Sequence, residues 1–140
     1  MLELRSVPLA VVRVFGAPPL PGAHRVAPDE QLLVGDSPAD LLALAGDASL
    51  VVDHSDGVAA FELAGDDVDA AFARLSALPL PAGRPAFLQG LVADLPAKVI
   101  VTDTLLVLVS SAVRDSFRSG VLEACAGLDV REGSDERALA

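Results

Sequence analysis

The chain has 140 residues, a formal net charge of −10 and a pI near 4.4. With 52 % hydrophobic residues and a mean hydropathy of +0.51 it has the apolar content for one packed core, which excludes a disordered chain. Its ten Lys and Arg form no cluster against 20 acidic residues, which excludes a binder of phosphate backbones.

The first apolar run, "VPLAVVRVFG" (7–16), is β-branched and ends at Gly16, so it is expected to be the first strand. "APPLPGAH" (17–24) carries three prolines and is expected to be an extended loop, followed by a strand at "EQLLVG" (30–35). "SPADLLALAG" (37–46) is punctuated as a helix. Ser37 is the N-cap, Pro38 stands at the first helical position, Asp40 in the first turn, and Gly46 ends it. "SLVVDHS" (49–55) and "VAAFELAG" (58–65) follow as strands joined through "DHSDG".

A helix over 66–78 has the clearest period in the chain, with Val68, Ala71, Phe72, Leu75 and Leu78 on one stripe. "PLPAGRP" (79–85) forbids its continuation. Residues 86–103 and 104–111 supply two or three more strands, with turns expected at Leu95-Pro96 and Asp103-Thr104. The last helix, about 112–126, places Val113, Phe117, Val121 and Cys125 on one side.

Strands joined by short turns, interrupted by about three helices, predict an α+β fold: a mostly antiparallel sheet with helices on one face. "EQLLVGDSPADLLALAG" and "TLLVLVSSAVRDSFRSGVLEACAG" share an order of strand, small polar turn and Gly-closed helix, which gives two βα-type halves. No linker divides the chain, so one domain is expected over 1–130, with "REGSDERALA" (131–140) as a polar tail, frayed or marginally helical. No apolar run reaches the roughly 18 residues of a membrane span. Glu3 and Arg5 stand where the apolar part of a secretory signal would begin. A single cysteine, Cys125, suits a reducing compartment, and a cytoplasmic protein is expected.

Chemistry is sparse. Ser37 lies in "GDSPAD", similar to the Gly-Asp-Ser block of one esterase family, but that chemistry needs an activating histidine late in the chain. The two histidines are His24 and His54, and the helix cap accounts for Ser37. Neither histidine has metal-ligand spacing, and no glycine-rich phosphate loop is present. "DHSDG" gathers Asp53, His54, Ser55 and Asp56, and two carboxylates beside an imidazole would raise its pKa. The same residues are what a turn selects, and neighbours on a strand face opposite ways, so the turn is preferred. "QGLVADLPAK" offers Gln89, Asp94 and Lys98, and the last helix offers Arg114, one turn before Arg118. His54, Asp56, Gln89, Asp94 and Arg114 are the candidate ligand or partner contacts. No catalytic residue and no metal ligand is assigned.

"HRVAPDEQLLVG" (24–35), "VVDHSDGVAAFELAG" (51–65), "DVDAAFARLSALPL" (67–80) and "AKVIVTDTLLVLVSSAVRDSF" (97–117) together resemble the sarcosine oxidase gamma subunit family, over about residues 7–127. That family is similar to the folate-binding domain of the glycine cleavage T-protein, an aminomethyltransferase. The resemblance implies a non-catalytic subunit that assembles with flavoprotein oxidoreductase subunits in one-carbon metabolism. Flavin and NAD would then sit in the partner, and no cofactor would be bound directly. The alternative it implies is a stand-alone tetrahydrofolate-binding enzyme of the T-protein type, with Asp94 near the carboxylate residue which that family uses at folate. A homo-oligomer is the further partner expectation. The chain has Gln31 where the gamma family has Trp, and Phe117 as the one aromatic of its last helix.

Overall fold

The computed structural model describes residues 1–134. They form an α+β fold of ten strands in two mostly antiparallel sheets with three α-helices. The strands divide between two sheets rather than one, and the chain between two compact units. Unit 1 holds Met1–Val7 and the chain from Ala59 onward; unit 2 is the intervening Pro8–Val58.

In unit 2, β2 (Ala10–Phe15), β3 (His24–Ala27), β4 (Glu30–Gly35) and β5 (Leu50–Asp53) form a sheet in the order β3-β4-β2-β5, with each neighbouring pair antiparallel. The helix α1 (Pro38–Ala45) lays Leu41 and Ala45 onto Ala10, Val12, Val14 and Leu33, alternate residues that share one face of the sheet. The expected caps hold. Ser37 is extended, its Oγ accepts the Asp40 N–H, Pro38 opens the helix, and Gly46 closes it at a φ of 58°.

Unit 1 contains β1 (Leu2–Val7), β6 (Val58–Ala64, its first residue from unit 2), β7 (Ala86–Val92), β8 (Leu95–Val101), β9 (Leu105–Ser110) and β10 (Val130–Ser134) in the order β10-β1-β6-β9-β8-β7. Leu2 and Leu4, Phe61 and Leu63, Val99 and Val101, Leu105 and Val107 all point to one face. There α2 (Val68–Leu75) and α3 (Arg114–Ala124) cover them. The α2 stripe Val68, Ala71, Phe72 and Leu75 is buried as its period predicts, and α3 buries Phe117 and Val121, with Cys125 just beyond. The Phe61 and Phe117 rings meet with centroids 4.9 Å apart, tilted by 42°.

Three strands depart from expectation. The run at 7–16 breaks at Pro8, and β1 lies before it: "LELRSV" alternates apolar and polar, burying Leu2 and Leu4. β3 occupies "HRVA", beside the proline loop, and pairs with β4 through an irregular register. Val130–Ser134 pairs with β1 in parallel, so Arg131–Ser134 is strand where a tail was expected. Residues 135–140 of that expected tail lie outside the described residues. The turn expected at Leu95-Pro96 is instead Ala93-Asp94, and Pro96 stands inside β8. Its missing N–H costs no ladder bond, because the Val92–Leu95 closing pair leaves the next rung facing away from β7 and the β8–β9 ladder starts at Lys98. The Asp103-Thr104 turn is observed, with the Thr102 N–H donating to the Thr104 carbonyl.

Candidate functional site

The Asp53–Gly57 segment is a hydrogen-bonded turn. The Ser55 hydroxyl donates to Asp53 Oδ1 at 2.7 Å and accepts the Val11 N–H at 2.9 Å. The Ser55 N–H also reaches Asp53 Oδ1, at 3.1 Å, and the His54 N–H donates to the Val11 carbonyl at 2.8 Å. Ser55 is thereby the peg that closes unit 2's edge strand onto β2. These bonds, first the hydroxyl, then the amide, with the nearby His54 adding to them, hold the Asp53 carboxyl below its ordinary pKa. A Cβ at Gly57 would come within 2.6 Å of the exposed His54 ring, which would have to turn aside. His54 and Asp56 both lie exposed on this turn. Their backbone and neighbours explain the motif as structure.

Gln89 and Asp94 lie on the β7–β8 hairpin of unit 1. Gln89 is opposite Lys98, three rungs from the closing pair Val92–Leu95, roughly 10 Å along the strand at 3.4 Å per residue. It is therefore not brought to Asp94. Ala93 and Asp94 are the two central residues of the turn, with φ of 52° and 63°, the left-handed geometry that a type I′ hairpin turn demands at both positions. The turn is strapped to the end of α2: the Ala93 N–H donates to the Leu75 carbonyl at 2.8 Å, and the Ser76 hydroxyl to the Leu91 carbonyl at 2.7 Å. The turn needs a residue tolerant of positive φ at 94, and Asp serves this. Asp94→Gly is expected to raise stability by roughly 0.5 kcal/mol in thermal denaturation, since glycine adopts this φ without steric cost. A loss above about 1 kcal/mol would show that the carboxylate holds a contact beyond the turn.

Arg114 is exposed at the first position of α3, whereas Arg118 one turn later pairs with Glu132 of β10, its Nε 2.6 Å from Oε1. Arg118 thus ties α3 to the last strand. Cys125 is fully buried among the unit 1 core, and burial pushes its thiol up from the ordinary value. Among the described residues no group of three or more His, Cys, Asp or Glu is placed to hold a metal ion.

His24 opens β3, opposite Leu32, and its partial burial lowers its pKa below the ordinary value near 6.5. The unfolded chain then binds more protons than the folded one in the interval beneath about pH 6.5. Stability is accordingly complete above that pH and falls as pH drops through it toward the folded-state value. Chemical denaturation between about pH 7 and 5.5 should show this slope in the native chain and lose it in His24→Gln.

Two features are placed only by the structure. Gln31 is the one buried polar side chain among the described residues, 5 % exposed. Its amide nitrogen donates to the carbonyls of Ala17 and Pro18 at 3.1 and 3.0 Å, and its oxygen accepts the Leu20 N–H at 2.8 Å. It fixes the proline loop over the end of the unit 2 core, where Ala17 and Leu20 pack. The second is the outward side of α1. Leu42 and Leu44 are 42 % and 58 % exposed, on either side of the buried Leu41 and Ala45, with Ala39 and Ala43 also exposed. A surface helix ordinarily turns a charged face to water. Asp40 is the only charge on this one.

No protein-family model and no curated protein sequence matches the chain. Solved structures do. A chain of heterotetrameric sarcosine oxidase from Corynebacterium sp. U-96, solved in complex with pyrrole 2-carboxylate, superposes with a TM-score of 0.77 over 94 % of this chain and 87 % of that one, at 15 % identity. The fold is that of a sarcosine oxidase subunit. A protein from Agobacterium tumefaciens (14 % identity, covering 96 % of this chain and 93 % of that one) scores 0.47. A chain from Porphyromonas gingivalis, named for the C-terminal regulatory domain of aspartate kinase, scores 0.48 at 11 % identity, covering 91 % and 97 %. The sarcosine oxidase likeness matches the resemblance drawn from the sequence segments, and at this identity it speaks for the fold. None of the described helices is long and apolar enough to cross a membrane.

Proposed function

We propose that the chain is a non-catalytic assembly subunit of the sarcosine oxidase gamma type, which joins a flavin-dependent, amine-oxidising partner in one-carbon metabolism. The observation that carries the reading is the likeness over 94 % of the chain to a chain of a heterotetrameric oxidase. The apolar outer side of α1 supports it, because such a face is ordinary for a helix covered in an assembly. The local geometry supports it too. Asp53 and Ser55 are tied into turn bonding, and Asp94 suits the turn conformation, as structural residues of the fold would be. In this reading the flavin and NAD belong to the partner, this chain binds neither, and the cytoplasm is where the complex works.

The experiment is isolation of the tagged chain from its native host under gentle lysis, with a parallel titration of the purified chain with tetrahydrofolate. Co-purification with a flavoprotein oxidoreductase and no folate binding is the expected pair of results. Micromolar tetrahydrofolate binding that Asp94→Asn abolishes would overturn the assembly reading in favour of a T-protein-like enzyme.

A further inference from the structure

We propose that the outer face of α1 is the ridge by which this chain docks into an apolar groove rimmed by Lys or Arg on a partner protein. The inference rests on the assembly reading and names the surface and the chemistry of what covers it. The helix is short, and its geometry puts Leu42 and Leu44 on the two shoulders of the buried stripe Leu41–Ala45, with Ala39 and Ala43 on the crest between them. Small residues on the crest with leucines on both shoulders make a ridge that a groove can receive closely.

Charge selects the occupant. Asp36 precedes the helix, Asp40 lies on it and Asp47 follows it, all exposed. No Lys or Arg occurs between Arg25 and Arg74, so no basic side chain from this stretch offsets them. A second copy of the chain docked through the same face would bring this acidic set against itself, and like charges brought together at an interface disfavour that pairing. A partner with the same apolar groove and a basic rim gains both terms: burial of the leucines and complementary charge, the latter weakening with salt.

The test uses the full chain and two synthetic amphipathic helical peptides with an identical leucine face, one carrying lysine and the other glutamate at its polar positions. The lysine peptide is expected to bind. Binding should weaken roughly tenfold or more in a Leu42→Ser/Leu44→Ser variant, and should also weaken in Asp40→Lys/Asp47→Lys and at high salt. Asp103→Lys, on an exposed turn of unit 1, should leave it unchanged. Failure of the lysine peptide to bind, binding indifferent to the two leucines, or equal binding of the glutamate peptide would each overturn the inference. So would self-association of the chain, in sedimentation, that the leucine substitutions abolish. In a complex isolated with its natural partner, amides of α1 should be protected from hydrogen exchange. A complex that leaves them unprotected overturns this inference and leaves the assembly reading standing.

Discussion

Replacing Phe117 by alanine is expected to cost about 3–5 kcal/mol of folding free energy. The chain has five Phe and neither Trp nor Tyr, so its cores are built mostly from small aliphatic side chains. Phe117 is fully buried, and its ring lies 4.9 Å from that of Phe61, which is 2 % exposed. The pair joins α3 to β6, and Phe72 of α2 is buried in the same core. Truncation would leave a cavity lined by the Phe61 ring and by aliphatic side chains, and such surroundings relax only partially. Set against the roughly 5–15 kcal/mol of a typical domain, the loss is a large share of total stability. Urea denaturation followed by far-UV circular dichroism measures it. Phe117→Leu, which keeps most of the volume, should recover more than half. A cost below about 1 kcal/mol for the alanine variant would mean that α3 is not seated on this core.

The second large effect is at Gln31. "PPLP" offers a run of carbonyls and almost no donors, since Pro18, Pro19 and Pro21 have no N–H and Leu20 supplies the one amide. Turn bonding serves the Leu20 carbonyl, which accepts the Ala23 N–H, and leaves the carbonyls before it and the Leu20 amide to other partners. The Gln31 side chain supplies two donors to the Ala17 and Pro18 carbonyls and one acceptor to the Leu20 amide. Gln31→Leu keeps the apolar volume and strands these groups, at an expected cost of about 2–3 kcal/mol. The local signature separates it from an ordinary core mutation: the Leu20 amide should exchange with deuterium much faster, while the amides of α2 and α3 stay protected. Gln31→Glu removes the two amide donors and keeps an acceptor for the Leu20 N–H, and adds the cost of burying a carboxyl against two carbonyls. Unchanged Leu20 exchange in both variants would remove Gln31 from this role.

The elements legible in the sequence are those written in local chemistry. Ser37, Pro38 and Gly46 bracket α1 because capping depends on residues within a few positions of each other. The stripe Val68–Leu75 shows its period without reference to the rest of the chain. What escaped notice depends on partners distant in sequence. β10 is polar, and it becomes a strand by pairing with β1, more than a hundred residues away. β3 follows a proline loop and is held by β4. The division of the strands into two sheets is likewise a matter of which strand finds which.

Among the candidate contacts, the turn at Asp53–Gly57 was readable because Asp, Ser and Gly are chosen by local backbone bonding. Gln31 was visible only as a departure from a family pattern, since its three partners lie 11 to 14 positions upstream. The α1 face did carry a signal. Leu41, Leu42 and Leu44 cannot all sit on one stripe of a helix, so a helix with leucines at all three must present some of them outward.

The central claim, that this chain is a companion subunit, is tested most directly by native mass spectrometry of the chain purified from its own host under gentle lysis. The account predicts a stoichiometric assembly with a larger partner that carries bound flavin, which dissociates to yield this chain free of cofactor. Recovery of the chain alone, or only as an oligomer of itself, would contradict it.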